Sequence, residues 1–474
     1  MTWFYHLAWI IKVLVLGYFI SLNALYLAML FLSVRWCRRF KWKSTVHALD
    51  FEALERLKTL VPPITLIVPA YNEERVITQS VRSLLAMNYP AVEVIAVNDG
   101  STDGTLQEMI RAFSLYQVQI RQSGALPTQP VRAVYVSAVE PRLVLIDKKN
   151  GGKADSLNAG INFCQTPYFL AMDADSVVEP DALTHALRAM LEDQGRVVAV
   201  GGIVRGVNGS IVDAGRVRRP SLQRNFWVII QMVEYLRSFL AGRAGWSLIN
   251  GLLIVPGAFG LFQKSACVAV GGYSTRTVTE DLELILRLHR YSRGHRLGWR
   301  VVFAPDAVCW TEMPTSARAL GRQRKRWQEG LWQTMRMHAD MLFNPRYGVV
   351  GMLSIPHHLF HELGGPLVEL SGLFLLPLLY LLGLVNWKEL ALYLALAFFI
   401  STFISIAAVL IDQTLFPRHS SPRDVLLLLA FSLLENFGYR QLSMLWRLEA
   451  SWNYLFGRIV WRVSARRGFA TRAN

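Results

Sequence analysis

The feature that most constrains this chain is the placement of its apolar residues. Trp3 to Leu32 is almost wholly apolar, with Lys12 its only charged residue. A helix needs about 20 apolar residues to cross the hydrocarbon core of a bilayer, and this run is longer than the core of a cleaved leader. Arg35, Arg38, Arg39, Lys41 and Lys43 follow it, so it reads as a retained anchor with its C-terminal flank in the cytoplasm. Near the other end, Pro366–Val385 and Leu390–Ile411 are long enough for two more spans, joined as a hairpin by Asn386-Trp387-Lys388. Val425–Trp446 is a third candidate, interrupted by Glu435 and Arg440. Ionisable residues at membrane depth face a bundle interior or a wet cavity, which makes these two candidates for lining a channel. The arginines of the tail (Arg458, Arg462, Arg466, Arg467) belong on the cytoplasmic side. That side requires either a re-entrant third segment or a further span within Leu442–Val460.

Three regions follow: residues 1–42 as anchor and basic flank, 43–347 as a cytoplasmic domain with interfacial helices, and 348–474 as C-terminal interfacial and transmembrane helices. The net charge of +16 over 474 residues suits anionic lipid, nucleic acid or phosphorylated substrates, and charge alone does not rank them. The four cysteines, Cys37, Cys164, Cys267 and Cys309, are too scattered for a zinc knuckle or a disulfide framework and read as isolated buried thiols. His357, His358, His361 and Glu362 lack a zincin pattern and fall on an interfacial segment, so they are not read as a metal site.

The middle region alternates short β-rich runs with helical patterns. "ITLIVPA" (64–70), "VEVIAVNDG" (92–100) and "TPYFLAMDADS" (166–176) each end in polar turn residues before a helix. Such alternation implies βαβ units and a mainly parallel sheet, whose ligands bind beyond the C-terminal strand ends. Residues 122–142, with Pro127, Pro130 and Pro141, read as a loop-rich insertion.

Several clusters at these ends could do chemistry. Asp173-Ala174-Asp175 offers two carboxylates for Mg²⁺ or Mn²⁺, or an ordinary turn after a strand. Lys148-Lys149-Asn150-Gly151-Gly152-Lys153 opens a helix whose N-terminus suits a diphosphate, or is simply a basic loop; it lacks the spacing of a triphosphatase P-loop. Thr279-Glu280-Asp281 begins another helix, with Thr279 as its cap or Asp281 as a general base. Pro256-Gly257-Ala258-Phe259-Gly260 would let a flat substrate lie against backbone.

Taken in order, "VPAYNEE" (68–74), "VNDGSTDGT" (97–105), "NGGKADSLNAG" (150–160), "DADS" (173–176), "GAFG" (257–260), "TEDLEL" (279–284) and "QRKRW" (323–327) resemble family 2 glycosyltransferases. The set is similar to the membrane-embedded inverting synthases of cellulose, hyaluronan and poly-N-acetylglucosamine, strongly over residues 62–345. The resemblance implies a Rossmann-like GT-A domain inserted between transmembrane helices, a UDP-sugar donor, Mg²⁺ or Mn²⁺, and a polysaccharide or other glycan acceptor. It implies that Tyr71, Glu73 and Asp99 surround the base and ribose, with Lys153 and Gln323 also on the donor. Asp173 and Asp175 hold the metal and sugar diphosphate, Asp175 being the better ligand. Asp281 becomes the catalytic base, with Glu280 beside it on the acceptor. Phe259, Gly260 and Trp327 contact the acceptor, and Arg326 clamps the diphosphate. Arg324 and Lys325 are left to face lipid headgroups. Asn98-Asp99 replaces the paired aspartates of many relatives.

The reading is therefore a processive synthase in the inner membrane of a bacterium, with no nucleic acid partner. An accessory membrane or periplasmic export subunit is a partner such a synthase would use. The alternative is a non-processive enzyme that makes a membrane glycolipid.

Overall fold

The computed structural model describes residues 2–46, 61–119, 124–213, 216–417 and 421–457. The chain divides into two compact units. A helical unit takes the chain up to Arg38, Arg224–Gly251 and the stretch from Pro314 onward, while a sheet unit takes Arg39–Gln223 and Leu252–Met313.

The sheet unit is built on β1 (Ile64–Ala70), β2 (Val92–Asn98), β3 (Leu115–Val118), β4 (Val131–Ser137), β5 (Leu143–Lys148), β6 (Tyr168–Ala171), β7 (Ser176–Val178) and β8 (Val197–Gly206). It continues with the separate hairpin β9 (Ile211–Asp213) and β10 (Arg216–Arg219), then β11 (Gly260–Gln263) and β12 (Arg300–Thr311). All but the hairpin form one ten-stranded sheet in the order β3-β4-β5-β2-β1-β6-β11-β8-β12-β7. Its centre, β5-β2-β1-β6, is parallel, and β11 runs antiparallel between β6 and β8. The near-continuous Val/Ile/Leu character of β1, β2 and β8 fits strands covered on both faces. The helix Lys153–Phe163 packs on β1 closely enough that a Cβ at Gly160 would lie 2.3 Å from Ile67 Cγ2. The expected loop-rich insertion is corrected in part. Val131–Ser137 pairs with β5 as a ladder strand, because the prolines flank the run instead of interrupting it. The four cysteines are buried free thiols.

This topology explains why the polar clusters meet. Parallel strands end at the same edge, so Ala70, Asn98, Lys148 and Ala171 deliver their following loops to one side. Antiparallel β11 starts there, with Gly260 opposite Ala171, and brings Pro256–Phe259 to the same edge.

Thr2–Val46 is one helix, assigned to the helical unit as far as Arg38, and Tyr5–Lys43 and Trp387–Leu415 are long and apolar enough to cross a membrane. Val350–Leu363 and Gly365–Leu381 pass that test as a pair bent by 47°. The expected span Val425–Trp446 is corrected: Pro422–Leu434 and Tyr439–Leu455 are separate helices, broken at Gly438, whose φ is +85°. Glu435 and Arg440 flank that break, and each has a partner within the unit. Arg237 pairs with Glu435 at 2.9 Å and Arg440 with Glu369 at 2.7 Å. A further pair, Arg447–Glu362 at 3.0 Å, joins the helix Tyr439–Leu455 to the other limb of the bent pair. The tail arginines Arg458, Arg462, Arg466 and Arg467 lie outside the described residues.

Candidate active site

The loops beyond β1 and β2 are stitched together by side chains acting as backbone partners. Thr102 N–H donates to Asn72 Oδ1 at 2.8 Å, Asn72 N–H to Ser101 Oγ at 3.1 Å and Glu73 N–H to Thr105 Oγ1 at 2.9 Å. Asn72 adopts φ +57°, a conformation that a short polar side chain tolerates. The bracing holds Tyr71 exposed and Glu73 half-buried at the sheet edge.

Asp99 faces the other way. It is buried, and its Oδ1 accepts from Lys148 Nζ at 2.6 Å and from Gly151 N–H at 2.9 Å. Its Oδ2 accepts from Gly152 N–H at 2.8 Å. The carboxylate thus anchors the turn between β5 and the next helix instead of standing in the cleft. Gly152 closes that turn at φ +85°, a conformation glycine adopts without strain, and Lys153 follows as the first helical residue.

Lys153 gathers the remaining motifs. Its Nζ lies 2.6 Å from Asp173 Oδ1 and 3.3 Å from Glu280 Oε1, and donates to Gly257 O at 3.3 Å. Burial pushes the ammonium down, but Asp173 and Glu280 more than reverse this and hold it above the usual lysine range. Asp281 Oδ2 accepts from Gly257 N–H at 3.1 Å, while its Oδ1 accepts from Leu282 N–H at 2.8 Å. Both faces of the Gly257 peptide region are therefore engaged by charged side chains. A Cβ there would lie 2.8 Å from Lys153 Nζ and 3.4 Å from Asp281 Oδ2. Thr279 makes no side-chain cap on this helix, so its position before the acids is not explained by capping.

Two expected contacts resolve differently. Phe259 is fully buried, and a Cβ on Gly202 would lie 2.5 Å from its ring, so it packs in the sheet core. Gly260 is buried at the start of β11. Gly257, not Phe259, is the member of this turn that meets the acidic groups. Asp175, two residues after Asp173, is buried.

The motif Gln323–Trp327 lies in the helix Ala317–Met337 of the other unit. There Arg326 is exposed and Gln323 and Trp327 are half-buried. Arg324 is corrected from its expected lipid-facing place: its side chain is 8% exposed and its Nη2 lies 2.7 Å from Glu234 Oε2. Lys325 pairs with Glu449.

The profile described as "Glycosyl transferase family group 2" matches residues 168–410, and "Glycosyl transferase family 2" matches 65–123. The chain belongs to glycosyl transferase family group 2. Among curated relatives of this family-2 chain is a poly-beta-1,6-N-acetyl-D-glucosamine synthase of Staphylococcus aureus. It is 28% identical over 268 residues, 56% of this chain and 54% of the relative. The synthase of the same name from Staphylococcus epidermidis is 26% identical over 305 residues, 64% of this chain and 63% of the relative. The chain thus matches little more than half the length of the first. A solved mannosyltransferase from Pyrobaculum calidifontis, in complex with GDP-Man and Mn²⁺, is similar in fold. Its TM-score is 0.52 at 18% identity, covering 94% of this chain and all (100%) of that one. The family-2 assignment and the GT-A fold therefore agree with the motif order.

Sequence reasoning placed Lys148 in a basic loop, Gly257 in a turn open to a flat substrate and Arg324 at lipid headgroups, and foresaw none of their partners. The available signal for Lys148 was an Asp-Lys pair closing an apolar run, "LVLIDK".

Proposed function

We propose that this protein is a membrane-anchored inverting glycosyltransferase, with its catalytic domain in the cytoplasm. It transfers a sugar from a UDP-sugar to the end of a growing β-linked polysaccharide, which it passes across the bacterial inner membrane. The observation that carries the reading is the convergence of Lys153 on Asp173, Glu280 and Gly257, with Asp281 on the amide of the same glycine.

In this reaction Asp281 removes the proton of the acceptor hydroxyl. The freed oxygen bonds to the anomeric carbon from the face opposite the leaving group. The bond from that carbon to the diphosphate oxygen breaks, and its electron pair departs with UDP. A positioned base contributes about 10²–10⁴-fold. Lys153, at a helix N-terminus, attracts the diphosphate. Tyr71 and Glu73 flank the base and ribose, with Asp99 beneath them, and Glu280 lies beside the acceptor. From the Gln-x-x-Arg-Trp motif we assign Gln323 and Arg326 to the diphosphate and Trp327 to stacking against the acceptor ring. The staphylococcal relatives support an N-acetylhexosamine donor, and an export subunit would be the natural partner.

The donor set fits Mg²⁺ or Mn²⁺. Asp173 and Asp175 offer hard carboxylate oxygens, and no group of three or more His, Cys, Asp and Glu forms a cage among the described residues. Such ions are held by one or two carboxylates plus substrate phosphates. When bound, the ion neutralises charge on the leaving diphosphate.

The test is UDP release by purified protein in nanodiscs across a panel of UDP-sugars, beside Asp281→Asn, with the product sized on a gel. A long product from one donor, lost in the variant, is expected. A short glycolipid would replace the processive reading, and no turnover with any donor would remove the assignment.

A further inference from the structure

Lys148 is 0% exposed, and its ammonium has three hydrogens to place. It donates to Asp99 Oδ1 at 2.6 Å and to Lys149 O at 2.7 Å, and forms an ion pair with Asp155 Oδ1 at 2.6 Å. The two carboxylates are themselves committed to backbone. Asp99 takes the amides of Gly151 and Gly152, and Asp155 takes the amide of Gln129 at 3.0 Å. Asn150 Nδ2 adds a bond to Asp99 O at 2.8 Å. One buried cation thus joins the end of β2, the end of β5 and the first turn of the helix Lys153–Phe163.

A purely cohesive role would leave this arrangement unexplained. The ladder between β2 and β5 already joins those strands, with Asn98 opposite Asp147. What the ladder does not fix is the turn 149–152, which contains two glycines with no side chain to hold it. Every bond of the cluster except that to Gln129 converges on this turn or on its two ends. The residue that leaves the turn is Lys153, whose ammonium must reach Asp173, Glu280 and Gly257.

We propose that Lys148, with Asp99 and Asp155, is a positioning residue for donor recognition: it sets the turn that delivers Lys153 and the helix N-terminus to the donor diphosphate. The inference rests on the glycosyltransferase reading above. It also gives Asp99 a function that its inward orientation allows, acting on the donor through the turn.

Lys148→Met removes the cation and leaves two buried carboxylates facing each other, so the turn opens. The charge-balanced pair Lys148→Met with Asp155→Asn removes that repulsion, which preserves the fold, but does not restore the bridge. The experiment is titration of UDP, GDP and ADP into full-length protein in nanodiscs with Mg²⁺, alongside thermal unfolding of each variant. Wild type is expected to bind UDP. The double variant should melt within a few degrees of wild type yet bind UDP at least tenfold more weakly, and the donor KM should rise similarly with kcat within about threefold. A double variant with wild-type melting and UDP affinity within twofold of wild type would overturn the positioning role. So would a loss confined to kcat. Failure of wild type to bind any of the three nucleotides would instead overturn the underlying reading, and this inference with it.

Discussion

Arg324 holds its guanidinium carbon 4.5 Å from the ring centroid of Trp327, one turn further along the same helix. The guanidinium is fixed from its other side by Glu234, which also accepts from Tyr439 Oη at 2.6 Å. The plane of Trp327 is therefore set by a buried ion pair outside the Gln-x-x-Arg-Trp pattern. Arg324→Met should cost about 3 kcal/mol, because a partly buried carboxylate loses its counter-charge. Arg324→Lys keeps the charge but loses the flat contact, at about 1 kcal/mol. Thermal unfolding in one detergent checks both; no loss in Arg324→Lys would show that stacking contributes nothing, and equal losses would show that the charge contributes nothing.

Gly257→Ala tests the crowding at the centre of the site. The added methyl would displace Lys153 Nζ, the far end of a flexible chain, so the fold should survive within about 1 kcal/mol. Sugar transfer should fall at least about tenfold, the effect of a misplaced reacting group. Steady-state kinetics beside a melting curve would separate the two, and unchanged kcat/KM would place the reaction elsewhere.

His289 supplies a pH dependence. It is buried, its Nε2 lies 2.9 Å from Leu252 O, and burial pushes its pKa from 6.5 down to about 4. The unfolded chain therefore takes up a proton near pH 6.5 while the native protein does not. The associated stability is fully present above that pH and is lost as pH falls toward 4, by about 3 kcal/mol at most. His289→Gln keeps a donor for Leu252 O and should flatten this part of the profile. Melting temperatures of both proteins between pH 7.5 and 4.5 decide it: parallel curves would exclude His289 as the source.

Chelation should abolish sugar transfer, and Mn²⁺ or Mg²⁺ should restore it. Asp175→Asn should raise the metal concentration needed for half-maximal rate about tenfold, in keeping with loss of one of two carboxylate ligands. Activity persisting in excess EDTA would show that Lys153 and its neighbours suffice.

The candidate edge of the sheet was legible in the sequence because parallel strands place their ends together and polar residues follow those ends. Asp173 and Lys153 follow such strand ends, whereas Glu280 and Asp281 open a helix and were read as site residues only through the family motif. Asp99 was misdirected because its orientation depends on a buried lysine supplied by a different strand, which spacing along the chain does not encode. Phe259 looked accessible beside glycines, but Gly202 on β8 provides the space that buries it. Arg324 sits in a basic run that reads as surface, and Glu234, 90 residues away, draws it inward. The interruption at Glu435 and Arg440 was legible, but not that Gly438 between them turns it into a break between two helices.

The ion pairs Arg440–Glu369 and Arg447–Glu362 have one further consequence. The arginines stand two turns apart on an unbroken helix, whereas their glutamates fall on opposite limbs of the helix pair bent by 47°. The straight helix acts as a splint across a fracture. Straightening or deepening the bend at Gly364 would pull at least one arginine off its glutamate, so this corner is a set angle and not a free joint.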